Sequence, residues 1–546
     1  MIDIIDMTVT IILFMTFAAF AGRRSLTYMH VYQQEEYDTG RLLRWIAKNK
    51  AFDKRLSLFI LLVFAASFFI PERLVDFLLF VGMAVATYLE KDPRKNSKKK
   101  LVATARAKRI FFPAYILSVA LATWCFLPLP SIPWIWIVNI HFIPFMIIVV
   151  NALLFPFEDM QQKKFWNEAH NKVRDFQPTV IGITGSFGKT SVKHILGHIL
   201  KSQAPTLITP GSVNTPMGIS RIIREQLEPQ HKYLIVEMGA YGHGSIERLC
   251  RLTPPDMGII TAIGHAHYER FKTLEAVAET KYELAQAALA RGGQVIAHER
   301  TLRFDYTRNI KEENESQFVI CGEGAQALKN SQTEISYLKK DDLEINQIIQ
   351  TANGTEVRFK WKNVQYNVEV PIFGIHHGHN TAMAFAAAFE LGVSSEDIQI
   401  ALQSLPQIEH RLEIRRQTGG ITIIDDAYNS NPIGFQAALS LLSQMEQAKR
   451  RILITPGMVE LGSIHNEAHK KIGSYAAEVC DVAIVVQGKR IPTFIKAFEE
   501  SGNGKQLHQV SSFAEAQEWV SKNKQDGDVI LIENDLPDIY ERVPKI

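Results

Sequence analysis

The stretch "PTVIGITGSFGKTSVKHIL" (Pro178–Leu196) constrains the fold more tightly than any other part of the chain. An apolar, β-branched run ends at Thr184. A glycine turn follows, and then apolar residues at helical spacing from Thr190 to Leu200. Strand, tight turn and helix in that order open a parallel α/β sheet, with the helix N-terminus facing whatever binds at the turn. The turn carries Gly185, Ser186, Gly188, Lys189, Thr190 and Ser191. Backbone N–H groups at such a turn suit phosphate oxygens, a lysine brings a point charge to the β/γ-phosphates, and a threonine hydroxyl suits Mg²⁺. The common phosphate loop, G-x-x-x-x-G-K-[ST], needs a glycine five positions before Gly188, where this chain has Ile183. By itself the shortened loop leaves an alternative open, a glycine turn with an incidental lysine.

The α/β pattern continues to the end of the chain. "YLIVEM" and "DMGIITAI" read as strands and Leu274–Ala290 as a helix. Gln317 to Pro371 is strand-rich and suggests an antiparallel insertion, closed by helices at His379–Leu391 and Ser395–Leu405. A second α/β unit starts near Arg411, with strands "ITIID", "RILIT", "VAIVV" and "DVILIE" and helices Pro432–Met445 and His465–Glu478. Glu237 ends an apolar strand. An acid there, beside a phosphate loop, can hold Mg²⁺ directly or through water; the alternative is a solvated strand-end acid. In "GHAHYERFKTLEAVAETKYEL" (Gly264–Leu284), His265 and His267 could make a metal pair, but one of two such histidines is often structural, so only His267 is kept as a ligand. Lys281, between Glu279 and Glu283, reads as part of a solvated charged helix face.

The first third has another character. Apolar runs at Met7–Gly22, Leu56–Ile70, Leu74–Leu89, Phe112–Pro128 and Trp134–Phe157 are candidate membrane spans, several of them short of the roughly 20 residues a bilayer requires. Asp3 and Asp6 precede the first run in place of a basic region, so it reads as an anchor and not a cleaved signal. The pair around Pro71 could instead be a re-entrant hairpin. Arg23–Arg55 holds eight Lys/Arg and Lys91–Arg109 holds nine, which places both loops in the cytoplasm. With five spans, everything after Phe157 then lies inside, and Trp124, Trp134 and Trp136 flank a short outer loop. Contact with anionic membrane lipid is expected of these loops. A formal net charge of +3 argues against a polyanion binder, so no nucleic acid is expected as a partner. Four scattered cysteines (Cys125, Cys250, Cys321, Cys480) suggest neither a zinc site nor a disulfide framework.

Seven segments, "TGSFGKTSVK", "TPGSVNTPMGIS", "VEMGAYGHGSIERL", "HAHYERFKTLEAVAETK", "GHNTAMAFAAA", "EHRLE" and "DDAYNSNP", follow one another as they do in the Mur ligases. From Pro178 onward the chain resembles that family. "GSFGKTSVK", "DDAYNSNP" and "GMVELG" are most similar to the MurF type, which adds D-alanyl-D-alanine to a UDP-muramoyl tripeptide. The resemblance implies an α-helical membrane segment (1–157, about five helices) and a linker (158–177). A central P-loop ATPase domain (178–410) and a C-terminal Rossmann-like α/β domain (411–546) would follow. It implies ATP and Mg²⁺ as cofactors, with Lys189, Lys281 and His267 as the catalytic set. Lys189 and Thr190 would hold the phosphates and a first Mg²⁺ completed by Glu237. His267 would ligand a second Mg²⁺, and Lys281 matches the lysine that many members carbamylate. Asn380 would meet the adenine, Arg411 the nucleotide across the domain gap, and Asp426 the ribose, with Tyr428 and Asn429 lining that corner.

Four features depart from the family pattern. The N-terminal UDP-sugar-binding domain is not visible, and the apolar segment occupies its place. The second asparagine expected after "HN" is Met383, "GDMxELG" has become "PGMVELG" (Pro456–Gly462), and "KGSR" is replaced by "ENDLP" (Glu533–Pro537). The expectation is therefore a multi-pass enzyme of the cell inner (cytoplasmic) membrane with its catalytic domains in the cytoplasm. It would act as an ATP-dependent amide ligase of peptidoglycan precursor synthesis, joining an amino acid or dipeptide to a muramoyl-peptide acceptor. The rivals are a ligase acting on a lipid-linked or poly-γ-glutamyl acceptor, and a transport or scaffold protein with a regulatory nucleotide domain.

Overall fold

The structure is a computed structural model and describes residues 4–535 apart from 50–52, 91, 95–99, 127–132, 265–270, 324–336, 340, 429 and 460. It divides into two compact units, with the boundary between Gln162 and Lys163.

The first unit is helical: α1 (Ile4–Gln34), α2 (Thr39–Lys48), α3 (Lys54–Ala66), α4 (Glu72–Leu89), α5 (Ala105–Phe126) and most of α6 (Pro133–Phe176). Its core gathers Phe17, Phe20, Ile60, Leu79, Ile110, Trp136 and Ile143. A side chain at Gly82 would meet the Phe59 ring at 2.1 Å, so α3 and α4 pack closely at that glycine. Charges near the helix ends pair in the interior. Arg24 bridges Asp53 and Glu90 (2.9 and 3.0 Å), and Arg109 grips Glu158 with two hydrogen bonds (2.7 and 3.0 Å). Among the described residues one helix, α6, is long and apolar enough to cross a membrane, where the sequence pattern suggested five spans. Two reasons are visible. At 13 residues α3 is too short for a bilayer core, and α4 opens with Glu72, Arg73 and Asp76. Residues 158–176, expected as a linker, are instead the end of α6.

The second unit carries two sheets. The first is built from β1 (Thr179–Thr184), α7 (Lys189–Lys201), β2 (Thr206–Ile208), α8 (Pro216–Gln226), β3 (Tyr233–Glu237), α9 (Ser245–Leu252), β4 (Met257–Ile260), α10 (Leu274–Leu289), β5 (Gln294–His298), α11 (Asp305–Glu313), β6 (Phe318–Glu323), β7 (Leu343–Thr351), β8 (Gly354–Trp361), β9 (Val364–Val370), α12 (Ile375–Glu390) and α13 (Ser395–Gln403). Strand order is β2-β3-β1-β4-β5-β6-β7-β8-β9. The strands run parallel as far as β7, and β8 and β9 add antiparallel. The strand-rich stretch is thus the far edge of the main sheet and not a separate insertion. α7 lies on the sheet through Val192, Ile195, Leu196, Ile199 and Leu200, the i, i+3, i+4, i+7, i+8 pattern of a one-faced helix, all fully buried.

The second sheet comprises β10 (Glu413–Arg416), β11 (Thr422–Asp426), α14 (Pro432–Ser443), β12 (Arg450–Thr455), α15 (His465–Val479), β13 (Val482–Val486), α16 (Pro492–Ser501), β14 (Gln506–Val510), α17 (Phe513–Asn523) and β15 (Asp528–Glu533), in the order β10-β11-β15-β12-β13-β14. Only β10 is antiparallel.

Candidate active site

In the first sheet the chain order reverses at β1, which lies between β3 and β4. Such switch points open a crevice beyond the carboxyl ends of the strands, and the glycine loop after β1 sits there. Gly185 has φ +152°, and a Cβ on it would collide with Thr261 Oγ1 at 1.9 Å and approach Ala262 N at 3.0 Å. Only glycine lets the loop pass this close to the end of β4. Ser186 pins the loop from inside, its N–H donating to Ala262 O (2.7 Å) and its hydroxyl bonding to Gly264 O and accepting from Gly264 N (3.0 and 2.9 Å). Gly188, at φ +82°, starts α7 under the Asn380 side chain, whose Oδ1 lies 2.6 Å from where a Cβ would be. Asn380 is therefore at the loop, at the phosphate end of any nucleotide held there. Its neighbour His379 meets Glu323 (3.1 Å) and His298 (3.3 Å), which hold the start of α12 at the ends of β5 and β6.

Lys189 donates to Gly185 O (2.7 Å), so its ammonium lies over the loop. The Thr190 hydroxyl donates to Glu237 Oε2 (3.0 Å), and the same oxygen accepts from Lys193 Nζ (2.9 Å). Glu237 is buried and hence not the solvated strand-end acid left open by the sequence. Burial works to raise its pKa, but Lys193 and Lys189 outweigh burial and bring the carboxyl below its ordinary value. Glu237 Oε1 has only a 3.5 Å contact from Asn214, which leaves it able to take a cation. Lys281 is also buried, and burial, followed by repulsion from Lys189, drives its pKa well below the usual ammonium range. The solvated charged face is thereby corrected. Glu283, two residues on, is buried as well and caps α9 through the N–H groups of Gly244, Ile246 and Glu247 (2.7, 3.1 and 2.9 Å). Ser191 is buried on α7. His265 and His267 lie outside the described residues, as does Asn429.

The linker between the sheets brings Arg411 to the same side. Its guanidinium stacks on Tyr428, 4.4 Å from the ring centroid, and its charge is felt by Lys189 and by Asp426. His410 and Leu412 on either side both have positive φ (57° and 51°), which non-glycine residues rarely adopt. His410, Glu413 and Asp425 bring three ligand atoms within 4.8 Å of one another. Arg415 already spans the two carboxylates (2.7 and 3.2 Å), so the group is an ion-pair clasp that ties the linker to β10 and β11.

Residues 183–388 match the Mur ligase middle domain, and residues 410–533 match the Mur ligase, glutamate ligase domain. Together the two matches take in more than half of the chain. The chain belongs to the Mur ligase family.

Among its Mur ligase relatives is the UDP-N-acetylmuramoyl-tripeptide--D-alanyl-D-alanine ligase of Bacillus subtilis, 28% identical over 358 residues, covering 64% of this chain and 72% of the relative. The enzyme of the same name from Mycobacterium tuberculosis (strain H37Rv) is 29% identical over 315 residues, 57% of this chain and 58% of that protein. The chain thus spans less than two thirds of the mycobacterial relative's length. The crystal structure of MurF from Acinetobacter baumannii superposes with a TM-score of 0.56 at 27% identity, covering 68% of this chain and 77% of that one. In this Mur ligase the loop, Glu237, Lys281, Arg411 and Asp426 all fall within the matched domains. Sequence reasoning missed Lys193. The signal was available, because Lys193 is four residues after Lys189 and so shares its helix face.

Proposed function

We propose that this chain is a membrane-anchored ATP-dependent amide ligase facing the cytoplasm, which joins an amino acid or dipeptide to a muramoyl-peptide carboxylate by MurF-type chemistry in peptidoglycan precursor synthesis. The observation that carries the reading is a buried, neutral Lys281 beside the converging Lys189, Thr190 and Glu237. A purely regulatory nucleotide domain has no use for a desolvated lysine there. ATP fits the loop. Lys189 would hold its phosphates with the backbone of Gly185, Ser186, Gly188 and Ser191, and Arg411 would reach them from the linker. Asp426 would take the ribose with Tyr428 and Asn429 alongside. Asn380 presses on Gly188, so its assignment moves from the adenine to the phosphate loop.

Mg²⁺ fits the hard oxygens of Thr190 and Glu237, which lie 3.0 Å apart, and His267 with carbamylated Lys281 would take a second ion. Bound Mg²⁺ would neutralise phosphate charge as it develops. In the reaction the acceptor carboxylate attacks the γ-phosphorus, releasing ADP and forming an acyl phosphate; the amine nitrogen then displaces phosphate and forms the amide. The protein's own part is to position the groups and stabilise their charge. Residues 1–157 would form the anchor. Support for several passes comes from largely exposed apolar side chains on the first unit, among them Phe68, Phe69, Phe77, Ile116 and Leu153, more than a water-facing surface carries.

Phosphate release by the detergent-solubilised full chain tests the proposal. Turnover should need Mg²⁺, an acceptor carboxylate and an amine together. Lys189→Ala should reduce it on the order of a hundredfold, ~3 kcal/mol of transition-state stabilisation. A variant as fast as wild type would overturn the assignment.

A further inference from the structure

Asp426 and Glu533 stand directly opposite each other at the carboxyl ends of the parallel strands β11 and β15. Both are buried, Glu533 completely, and their carboxyl groups are within hydrogen-bonding reach of each other. Glu533 Oε1 accepts from the Ser430 hydroxyl at 2.5 Å, whereas Oε2 is buried and has no donor. Two carboxylates facing each other away from water cannot both be ionised, and a buried carboxylate oxygen with no donor is costly. One proton on Glu533 Oε2, donated to Asp426, removes both difficulties.

We propose that Glu533 is a protonated positioning residue. Its carboxylic acid donates to Asp426, leaving a single negative charge on Asp426 that accepts the Leu412 N–H and faces Arg411, so the pair holds the linker arginine at the nucleotide site.

Neighbouring groups agree with this placement of the proton. The charged groups facing the pair are Arg411 from the linker and Asp425 on β11; Ser430 and the Leu412 N–H are neutral donors. Burial, then the Asp426 charge, pushes Glu533 well above the usual carboxylate range. Asp426 is also raised, by burial first, but Arg411 and the Leu412 N–H work to keep it ionised. The backbone beyond the strand is fixed too: Asn534, at φ +69°, donates its N–H to Asp426 O (3.2 Å) and its Nδ2–H to Gly457 O (2.7 Å). An ionised Glu533 would instead compete with Asp426 for Arg411. Because the folded pKa is raised, the arrangement holds at low and neutral pH and fails as pH rises through that value.

The proposal rests on Arg411 and Asp426 serving the nucleotide, and the test separates the two readings. Difference infrared spectra of the full chain, wild type minus Glu533→Gln without nucleotide, should show a protonated-carboxyl C=O band at neutral pH. Absence of that band overturns the proton assignment whatever the site binds. Steady-state kinetics then test the role. Glutamine can donate to Asp426 and accept from Ser430, so Glu533→Gln should keep KM for ATP within about twofold and remove its rise at alkaline pH. Glu533→Ala should raise KM about tenfold with a smaller change in kcat. If Gln is as impaired as Ala, the charged carboxylate is what matters and the proposal fails. If neither variant alters KM while MgATP binds wild type normally, the nucleotide reading stands and the positioning role falls.

Discussion

Lys281 shows how burial changes the meaning of a residue. Surrounded in sequence by Glu279 and Glu283, it looks like a solvated charge, yet its side chain is enclosed and Glu283 is committed to capping α9. A lysine kept neutral by desolvation is nucleophilic toward carbon dioxide, and the carbamate it forms is an anion that would no longer repel the ions proposed beside it. Lys281→Ala should therefore lose most turnover and partly regain it with added small carboxylates. Lys281→Arg should stay inactive, because arginine forms no carbamate; full activity in the arginine variant would mean that only a positive charge is needed. Lys189, Thr190 and Glu237 were legible from motif and strand position. Lys193 and Glu533 were not, since one depends on the facing of two side chains across α7 and β3, and the other on the register of strands more than a hundred residues apart.

The element on which the site depends is the turn between β1 and α7. α7 is fixed by its buried stripe and β1 by neighbours on both sides, so the loop cannot shift to accommodate a larger residue. Gly185→Ala should thus cost about 1–3 kcal/mol of stability from backbone strain, with the Thr261 clash added. It should also raise KM for ATP, as read by thermal unfolding and kinetics on the same preparation. A small change in both would mean that the loop is looser than its hydrogen bonds imply. Elements with strong periodicity were legible to within a few residues, as in α7, α10 and α15. Residues 158–176 were not, because charge and polarity there suggest a linker while the helix simply continues. Its last turns find partners in the α/β unit: Arg224 stacks on Phe165 (3.9 Å), Lys172 donates to Arg224 O (2.9 Å), and Ala169 and Val173 join that unit's core.

At the scale of the whole molecule, the question is why a ligase of this family has a helical apolar unit where the family's UDP-sugar-binding domain is expected. Two answers differ in their consequences. The unit could bring the active site to a lipid-linked acceptor, or it could co-localise the enzyme with its neighbours while a soluble UDP-linked acceptor is used. Confinement to a surface raises effective concentration without adding contacts, so a lipid-linked acceptor would tolerate weak intrinsic binding. A chain starting at Glu158 retains Lys163–Asp535, a compact unit that includes the packed end of α6. It should keep MgATP affinity close to that of the full chain, measured by calorimetry. If the acceptor is lipid-linked, its rate with that acceptor in vesicles should fall at least tenfold below the full chain's, with the two chains equal on a short-chain soluble analogue. Equal rates on both acceptors would exclude a lipid-delivery role and leave co-localisation. Loss of MgATP binding would show instead that the α/β unit needs the helices before Glu158 in order to fold.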